Sequence, residues 1–148
     1  MDADYSHNPC YISQLYDKIT ESGACVVIGS RYTKGAVTNV SFKLQFMSKL
    51  LNKCYSLVLG LKVSDMSNSF RIYDAAKLKA IKLTCDNFDI LEEILIRLTK
   101  KFPDIQILEI PTIFNNRLHG KSKRKLFKFI LSYIATLYKL KKLQGESI

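Results

Sequence analysis

Ala24-Cys25-Val26-Val27-Ile28-Gly29 is a short apolar run, followed at once by the polar stretch Ser30-Arg31-Tyr32-Thr33-Lys34-Gly35. A run this short, bounded by glycines, reads as a buried strand rather than a helix. Ahead of it, Tyr11, Ile12, Leu15, Tyr16 and Ile19 recur at helical spacing over Tyr11–Glu21, and Gly23 ends that helix. Asn8-Pro9 marks a turn before the helix, and Met1-Asp2-Ala3-Asp4-Tyr5-Ser6-His7 is an acidic loop before the turn. Loop, helix and buried strand together form one unit of an α/β sheet. The polar stretch leaves the strand at its carboxyl end, where open α/β sheets place their ligands.

Working outward, Phe42–Leu59 is a second helix with Phe46, Leu50, Leu51, Cys54, Leu57 and Val58 expected inward and Gly60 as its cap. A polar turn from Val63 runs into a short strand ending at Tyr73, and Ala75–Leu83 is expected to be helical. Asp89–Lys101 is a stronger amphipathic helix, stopped by Pro103. Ile105–Phe114 reads as a strand interrupted by Pro111, hence bent or at an edge. After a basic loop, a last helix from Leu126 to about Leu143 carries an apolar face of Leu126, Phe127, Phe129, Ile130, Tyr133, Ile134, Leu137 and Tyr138. The expected division is an α/β portion over 1–125 and an amphipathic, basic helix with its tail over 126–148. About three strands is few for a doubly wound sheet, so the chain is expected to be the carboxyl-terminal part of a larger domain.

A length of 148 residues with 47% hydrophobic content suits a folded domain with a real core. The net charge of +10 is uneven: from Ile110 to Gly145 there is no acid, against Arg117, Lys121, Lys123, Arg124, Lys125, Lys128, Lys139, Lys141 and Lys142. Such a terminus expects an anionic partner, namely phosphate groups, acidic lipid headgroups or nucleic acid. Cys10, Cys25, Cys54 and Cys85 are too widely spaced for a Cys-x-x-Cys pair and read as reduced thiols of a cytoplasmic protein. No apolar run reaches the roughly 18–20 residues of a membrane span, no signal peptide precedes the acidic loop, and the sequon at Asn39-Val40-Ser41 is expected to be idle.

Asp2 and Asp4 are hard oxygen donors for Mg²⁺ or Mn²⁺. In an extended segment residues i and i+2 point the same way, so both converge on one ion, which can bridge two phosphates and neutralise charge as a bond to phosphate breaks. The competing reading is a solvated acidic terminus. His7 and His119 read as loop residues.

Several further stretches, in order, carry a resemblance. They are Asp2-Ala3-Asp4-x-Ser6-His7-x-Pro9, Val27-Ile28-Gly29-Ser30-Arg31-Tyr32, Ser48 and Asn52 ahead of Leu59-Gly60-Leu61, and Val63-x-Asp65-x-Ser67-x-x-Phe70-Arg71. Phe88 and Glu93 with Arg97 follow, then Pro111-Thr112-x-Phe114-x-x-Arg117-x-x-Gly120-x-Ser122-Lys123. Over nearly the whole chain this resembles the inverting, nucleotide-sugar-dependent glycosyltransferases of the GT-A (Rossmann-like) fold, in the branch of dolichyl- or polyprenyl-phosphate mannose and glucose synthases. The resemblance implies a partial GT-A domain, lacking the strand and base- and ribose-binding residues that precede the Asp-x-Asp pair in that family. It implies that Asp2 and Asp4 hold the metal on the diphosphate of a GDP- or UDP-hexose donor, with Asp4 and Arg31 in the catalytic group. Arg31, Asp65, Arg71, Arg117, Ser122 and Lys123 would surround the acceptor phosphate or the leaving diphosphate. One departure is Asn68-Ser69, where the family usually has Ser-Gly.

The residue types agree with that chemistry. A lipid phosphate acceptor is already ionised near neutral pH, so guanidinium groups and a metal suffice to hold two anions together. A hydroxyl acceptor would need a carboxylate base, for which Glu93 is the candidate and Asp89 an outsider. Plainer readings stand beside each: Glu93 as a helix-surface ion pair with Arg97, Asp65 as a turn cap or a partner of Arg71, and Arg31 and Arg71 as salt-bridge partners. The basic cluster at 121–125 is either a solvated face or, beside the last helix, part of an anionic membrane surface contact. The leading expectation is hexose transfer to a polyprenyl phosphate at the cytoplasmic face of a membrane. The alternative is an inactive remnant that keeps phosphate and membrane binding. Nucleic-acid binding is disfavoured, since the basic residues gather in one tail without stacking aromatics along a groove.

Overall fold

The computed structural model describes residues 6–85, 89–115 and 126–145. The run at 24–29 forms strand β1 (Val26–Ser30), which is wholly buried and central. Helix α1 (Tyr11–Ser22) precedes it, and β2 (Val37–Thr38) and α2 (Phe42–Leu59) follow. Then come β3 (Arg71–Tyr73), α3 (Ala75–Lys79), α4 (Ile90–Lys101), β4 (Ile107–Pro111), β5 (Ile113–Phe114) and α5 (Leu126–Gly145). The main sheet has the order β3-β1-β4, with β4 parallel to β1 and β3 antiparallel. The segment expected as one strand with a break at Pro111 divides there: β4 stays on β1, and β5 leaves to pair in parallel with β2. β2 has no counterpart in the sequence reading, because two residues are too short for any periodicity to register.

Alternation along β1 sorts the core into two layers. Val27 faces α1 with Leu15, Ala24 and Phe70, while Val26 and Ile28 face a larger cluster built from α2, α4 and α5. Covering both faces explains why β1 reads as an unbroken apolar run. Helix α5 contributes to this same core: Leu140 is fully buried, with Tyr133, Leu137 and Leu143 packed beside it. Ile134 and Tyr138 point to solvent instead.

Two expectations are corrected. The orientation of α2 is the reverse of that expected: Phe46, Leu50, Cys54, Leu57 and Val58 are exposed, and Asn52, Tyr55 and Leu59 are buried. The inward polar groups are hydrogen-bonded, Tyr55 donating to the Tyr133 carbonyl at 2.8 Å and Asn52 tying into a loop, so their burial carries little penalty. Helix α3 ends at Lys79 rather than Leu83, because the chain beyond it must bring the amides of Thr84 and Cys85 to the Glu93 carboxylate.

Candidate functional site

The carboxyl end of β1 is where distant parts of the chain meet. Parallel pairing brings the end of β4 to the same edge, and antiparallel β3 begins there, with Arg71 opposite Ile28. Gly29 sits at the crowded centre: a Cβ on it would lie 2.9 Å from both the Phe70 ring and the Thr112 methyl. Only a glycine lets the 65–71 turn approach the strand this closely.

Asp65 is completely buried and pairs with Arg31 in a fork, accepting from Nε at 2.7 Å and Nη2 at 2.6 Å as well as from the Arg31 amide at 2.9 Å. Glu109 of β4 in turn accepts from the amides of Ser64 and Asp65 at 2.8 and 2.9 Å. Ser67 Oγ lies between Arg31 Nη2 and Asn52 Nδ2, and Asn52 Oδ1 accepts from the Ser67 amide. The Arg31 guanidinium also lies over the rings of Tyr32 and Phe114, 5.2 and 5.3 Å from their centroids. Burial works to lower its pKa, but the hydrogen bonds and charge of Asp65 outweigh that and raise it. Asp65 orients Arg31 rather than Arg71, a pairing that was not among the readings open for it.

Arg71 donates all three arms of its guanidinium to backbone carbonyls: Nε to Asn68 at 2.5 Å, Nη1 to Leu91 at 2.9 Å and Nη2 to Met66. It staples the 66–70 turn to the start of α4. Arg31 and Arg71, expected on an anion, are therefore both engaged with the protein itself, one with a carboxylate and one with carbonyls.

Glu93, the candidate base, is corrected to a structural role. It is fully buried and accepts from Arg97 Nε at 2.6 Å, from Thr84 Oγ1 at 2.7 Å and from the amides of Thr84 and Cys85. Burial alone would raise its pKa, but these donors hold it at about 2, too acidic for a base at neutral pH. The expected i,i+4 ion pair with Arg97 is present.

Asp2, Asp4, Arg117, Ser122, Lys123 and Phe88 lie outside the described residues. Their neighbours are placed. Ser6 and His7 are buried at this same edge, His7 bridging to Phe114 and the Ser6 carbonyl accepting from the Asn115 amide at 3.0 Å. His7, read as a loop residue, lies between Phe70 and Phe114 and donates to Asn68 Oδ1 at 2.7 Å. Among the described residues no cluster of His, Cys, Asp or Glu is arranged to hold a metal ion, and Asp65 is already committed to Arg31. Asp2 and Asp4, outside the described residues, are hard oxygen donors whose chemistry fits such an ion, and they precede Ser6 and His7 in the chain.

Glu92 and Glu109 were not singled out by the sequence reading. Glu109 had a signal, a lone acid inside the apolar strand Ile107–Ile110. Glu92 had a weaker one, since adjacent acids at the start of α4 cannot both face outward if either packs inward; here both are buried. Burial pushes the Glu92 carboxyl up to about 7, with Arg71 opposing and Asp89 and Asp65 reinforcing. The folded protein thus holds this proton more tightly than the unfolded chain, whose carboxyl titrates near 4.5. Stability falls as pH rises from about 4.5 to about 7. Glu92→Gln is expected to remove that slope and to stabilise the fold at pH 8 by roughly 1–3 kcal/mol. Denaturant midpoints at pH 5 and pH 8 check this; a variant no more stable than the parent at pH 8 contradicts it.

Comparison with known proteins agrees with this arrangement. The model of the family described as glycosyl transferase family 2 matches residues 1–82, which carry the acidic loop, α1, β1 and the 65–71 turn. A dolichol-phosphate mannosyltransferase of Pyrococcus furiosus is 34% identical over 150 residues, covering 99% of this chain and 41% of that protein. A polyprenol monophosphomannose synthase of Mycolicibacterium smegmatis is 32% identical over 125 residues, covering 83% of this chain and 47% of that protein. The chain spans less than half the length of these curated relatives. Its mixed sheet between two helical layers is consistent with a partial Rossmann-like GT-A fold. The family model covers more than half of the chain, which belongs to glycosyl transferase family 2.

Proposed function

We propose that this chain serves a hexosyltransferase that moves a sugar from a GDP- or UDP-hexose to a polyprenyl phosphate, inverting the anomeric centre, at the cytoplasmic face of a membrane. The observation that carries this reading is the meeting of the Ser6-His7 anchor, three residues on from Asp4, with the Arg31–Asp65 pair at one sheet edge. Asp2 and Asp4 hold Mg²⁺ or Mn²⁺, which supplies charge neutralisation on the donor diphosphate. Arg117, Ser122 and Lys123 meet the anionic groups directly, while Arg31 and Arg71 fix the walls they work against. An acceptor phosphate needs no base, which agrees with a Glu93 that is held ionised and enclosed.

Membrane association draws support from α2. Its outward face carries Phe42, Phe46, Leu50 and Leu57 together with Lys49 and Lys53, and the helix contains no acid. An apolar face edged with lysines suits an anionic lipid surface. No helix among the described residues is long and apolar enough to cross a membrane.

Incubation with labelled GDP- or UDP-hexose and polyprenyl phosphate in anionic vesicles tests the reading, using the chain and any longer product of its reading frame. A lipid-linked hexose that forms with Mn²⁺ or Mg²⁺ and not in EDTA is the expected result. Product formed equally in EDTA overturns the metal's role, and no product from either donor overturns the transferase reading.

A further inference from the structure

We propose that Asn68 is a positioning residue: its side-chain amide latches His7 to strand β1 and so sets the anchor from which the Asp2/Asp4 segment extends. The Asn68 side-chain amide has one donating and one accepting end. Asn68 Nδ2 donates to the Gly29 carbonyl, an atom that can only accept. That contact turns Oδ1 toward His7, 2.7 Å from Nε2, so Nε2 must carry the hydrogen. A backbone atom of β1 thereby dictates which nitrogen of a ring on another segment is protonated.

The latch has little slack. Ser6, His7 and Asn68 are each no more than 3% exposed. The ring is held by Phe70 and Phe114, at centroid distances of 5.0 and 5.2 Å, and its backbone by the bridge to Phe114. Asn68 also receives Arg71 Nε on its backbone carbonyl, so the residue joins three segments: β1, the His7 segment and the Arg71 staple. Asp4 is three residues from His7, within roughly 10 Å of chain at most, so the position of the ring limits where the acidic pair can reach. For groups that must hold an ion in register with a reacting bond, an ångström is decisive. This role rests on the reading that Asp2 and Asp4 bind a cation; the latch itself does not.

Two measurements on the full chain separate those parts. In ¹⁵N-labelled protein with His119→Gln removing the other imidazole, the His7 Nε2 proton is expected as a resolved signal protected from solvent exchange. In Asn68→Ala that proton should exchange at least a hundredfold faster. A ring protonated at Nδ1 alone, an unprotected Nε2 proton, or protection that survives Asn68→Ala overturns the latch. Mn²⁺ affinity then reads the positioning. His7→Gln, whose side-chain amide can still donate to Asn68 Oδ1, should bind within about threefold of the parent. His7→Ala and Asn68→Ala should each bind at least tenfold more weakly, and the double variant no more weakly than either alone. Full affinity in His7→Ala, or losses that multiply in the double variant, overturn positioning. Should Asn68→Ala not fold, the parent's Nε2 signal and the Gln/Ala pair at His7 still decide. A parent that binds no Mn²⁺ removes the cation reading and leaves the exchange measurement to judge the latch.

Discussion

Asp65→Ala is expected to destabilise the fold by about 3–5 kcal/mol, the range found when one partner of a buried ion pair is removed. The deleted carboxylate leaves three donors behind it: the Arg31 amide, Nε and Nη2. The Arg31 side chain is only 14% exposed, so water cannot fully replace what is lost. Its remaining neighbours are the Tyr32 and Phe114 rings, which attract a cation but accept no strong hydrogen bond, and the single hydroxyl of Ser67. The damage also spreads along the turn, because the Asp65 and Ser64 amides are held by Glu109 in the geometry that the Arg31 fork defines. Denaturant unfolding should show a lower midpoint at unchanged slope. Replacing both partners, as Arg31→Met with Asp65→Leu, should recover much of the loss, since an apolar pair leaves no buried charge. A loss below about 1 kcal/mol in the single variant would mean that the pair behaves like an exposed one.

That pairing also marks the limit of what the sequence could say. Helix boundaries were legible because each depends on neighbours in the chain: apolar spacing fixed α1 and α2, and Gly23 and Gly60 end them in left-handed caps with φ of 64° and 66°. The location of the site was legible too, since a buried strand followed by a polar loop announces its carboxyl end. What each site residue touches was not. Arg31 and Asp65 are far apart in the chain, and no periodicity says that Asp65 would choose Arg31 over Arg71. The face of α2 was misjudged for a related reason. Counting apolar residues finds the wider stripe, but here Asn52 and Tyr55 are drawn in by partners on other segments, and Phe42, Phe46 and Leu50 are left outside. Burial rules run one way: apolar residues need not be buried, and polar ones are buried where their hydrogen bonds are waiting. His7 belongs with these, since only the placement of Asn68 and two phenylalanines makes it more than a loop residue.

Glu93→Gln should cost about 3 kcal/mol at pH 7, and the cost should vanish in acid. The carboxylate collects donors from three places: the Arg97 guanidinium, the Thr84 hydroxyl and the amides of Thr84 and Cys85. An amide of the same size keeps one accepting oxygen and turns an NH₂ group toward hydrogens, with no charge left to answer Arg97. The pH dependence follows from the pKa. Glu93 titrates near 4.5 when unfolded and at about 2 in the fold, so between those values the unfolded chain binds the proton that the folded protein refuses. Stability from this group is complete above pH 4.5 and drains away as pH falls toward 2. Parent and variant should therefore differ most at neutral pH and converge near pH 2. Glu92, one residue earlier on α4, has the opposite slope in the adjoining window, losing stability as pH rises from about 4.5 to about 7. Together the two carboxylates predict a stability maximum near pH 4.5 to 5, which Glu92→Gln broadens toward neutral pH and Glu93→Gln lowers. Unfolding midpoints measured from pH 2 to pH 8 in the three proteins check both signs. A Glu93→Gln deficit that persists undiminished at pH 2 would show that lost packing, rather than the ionised carboxylate, accounts for the cost.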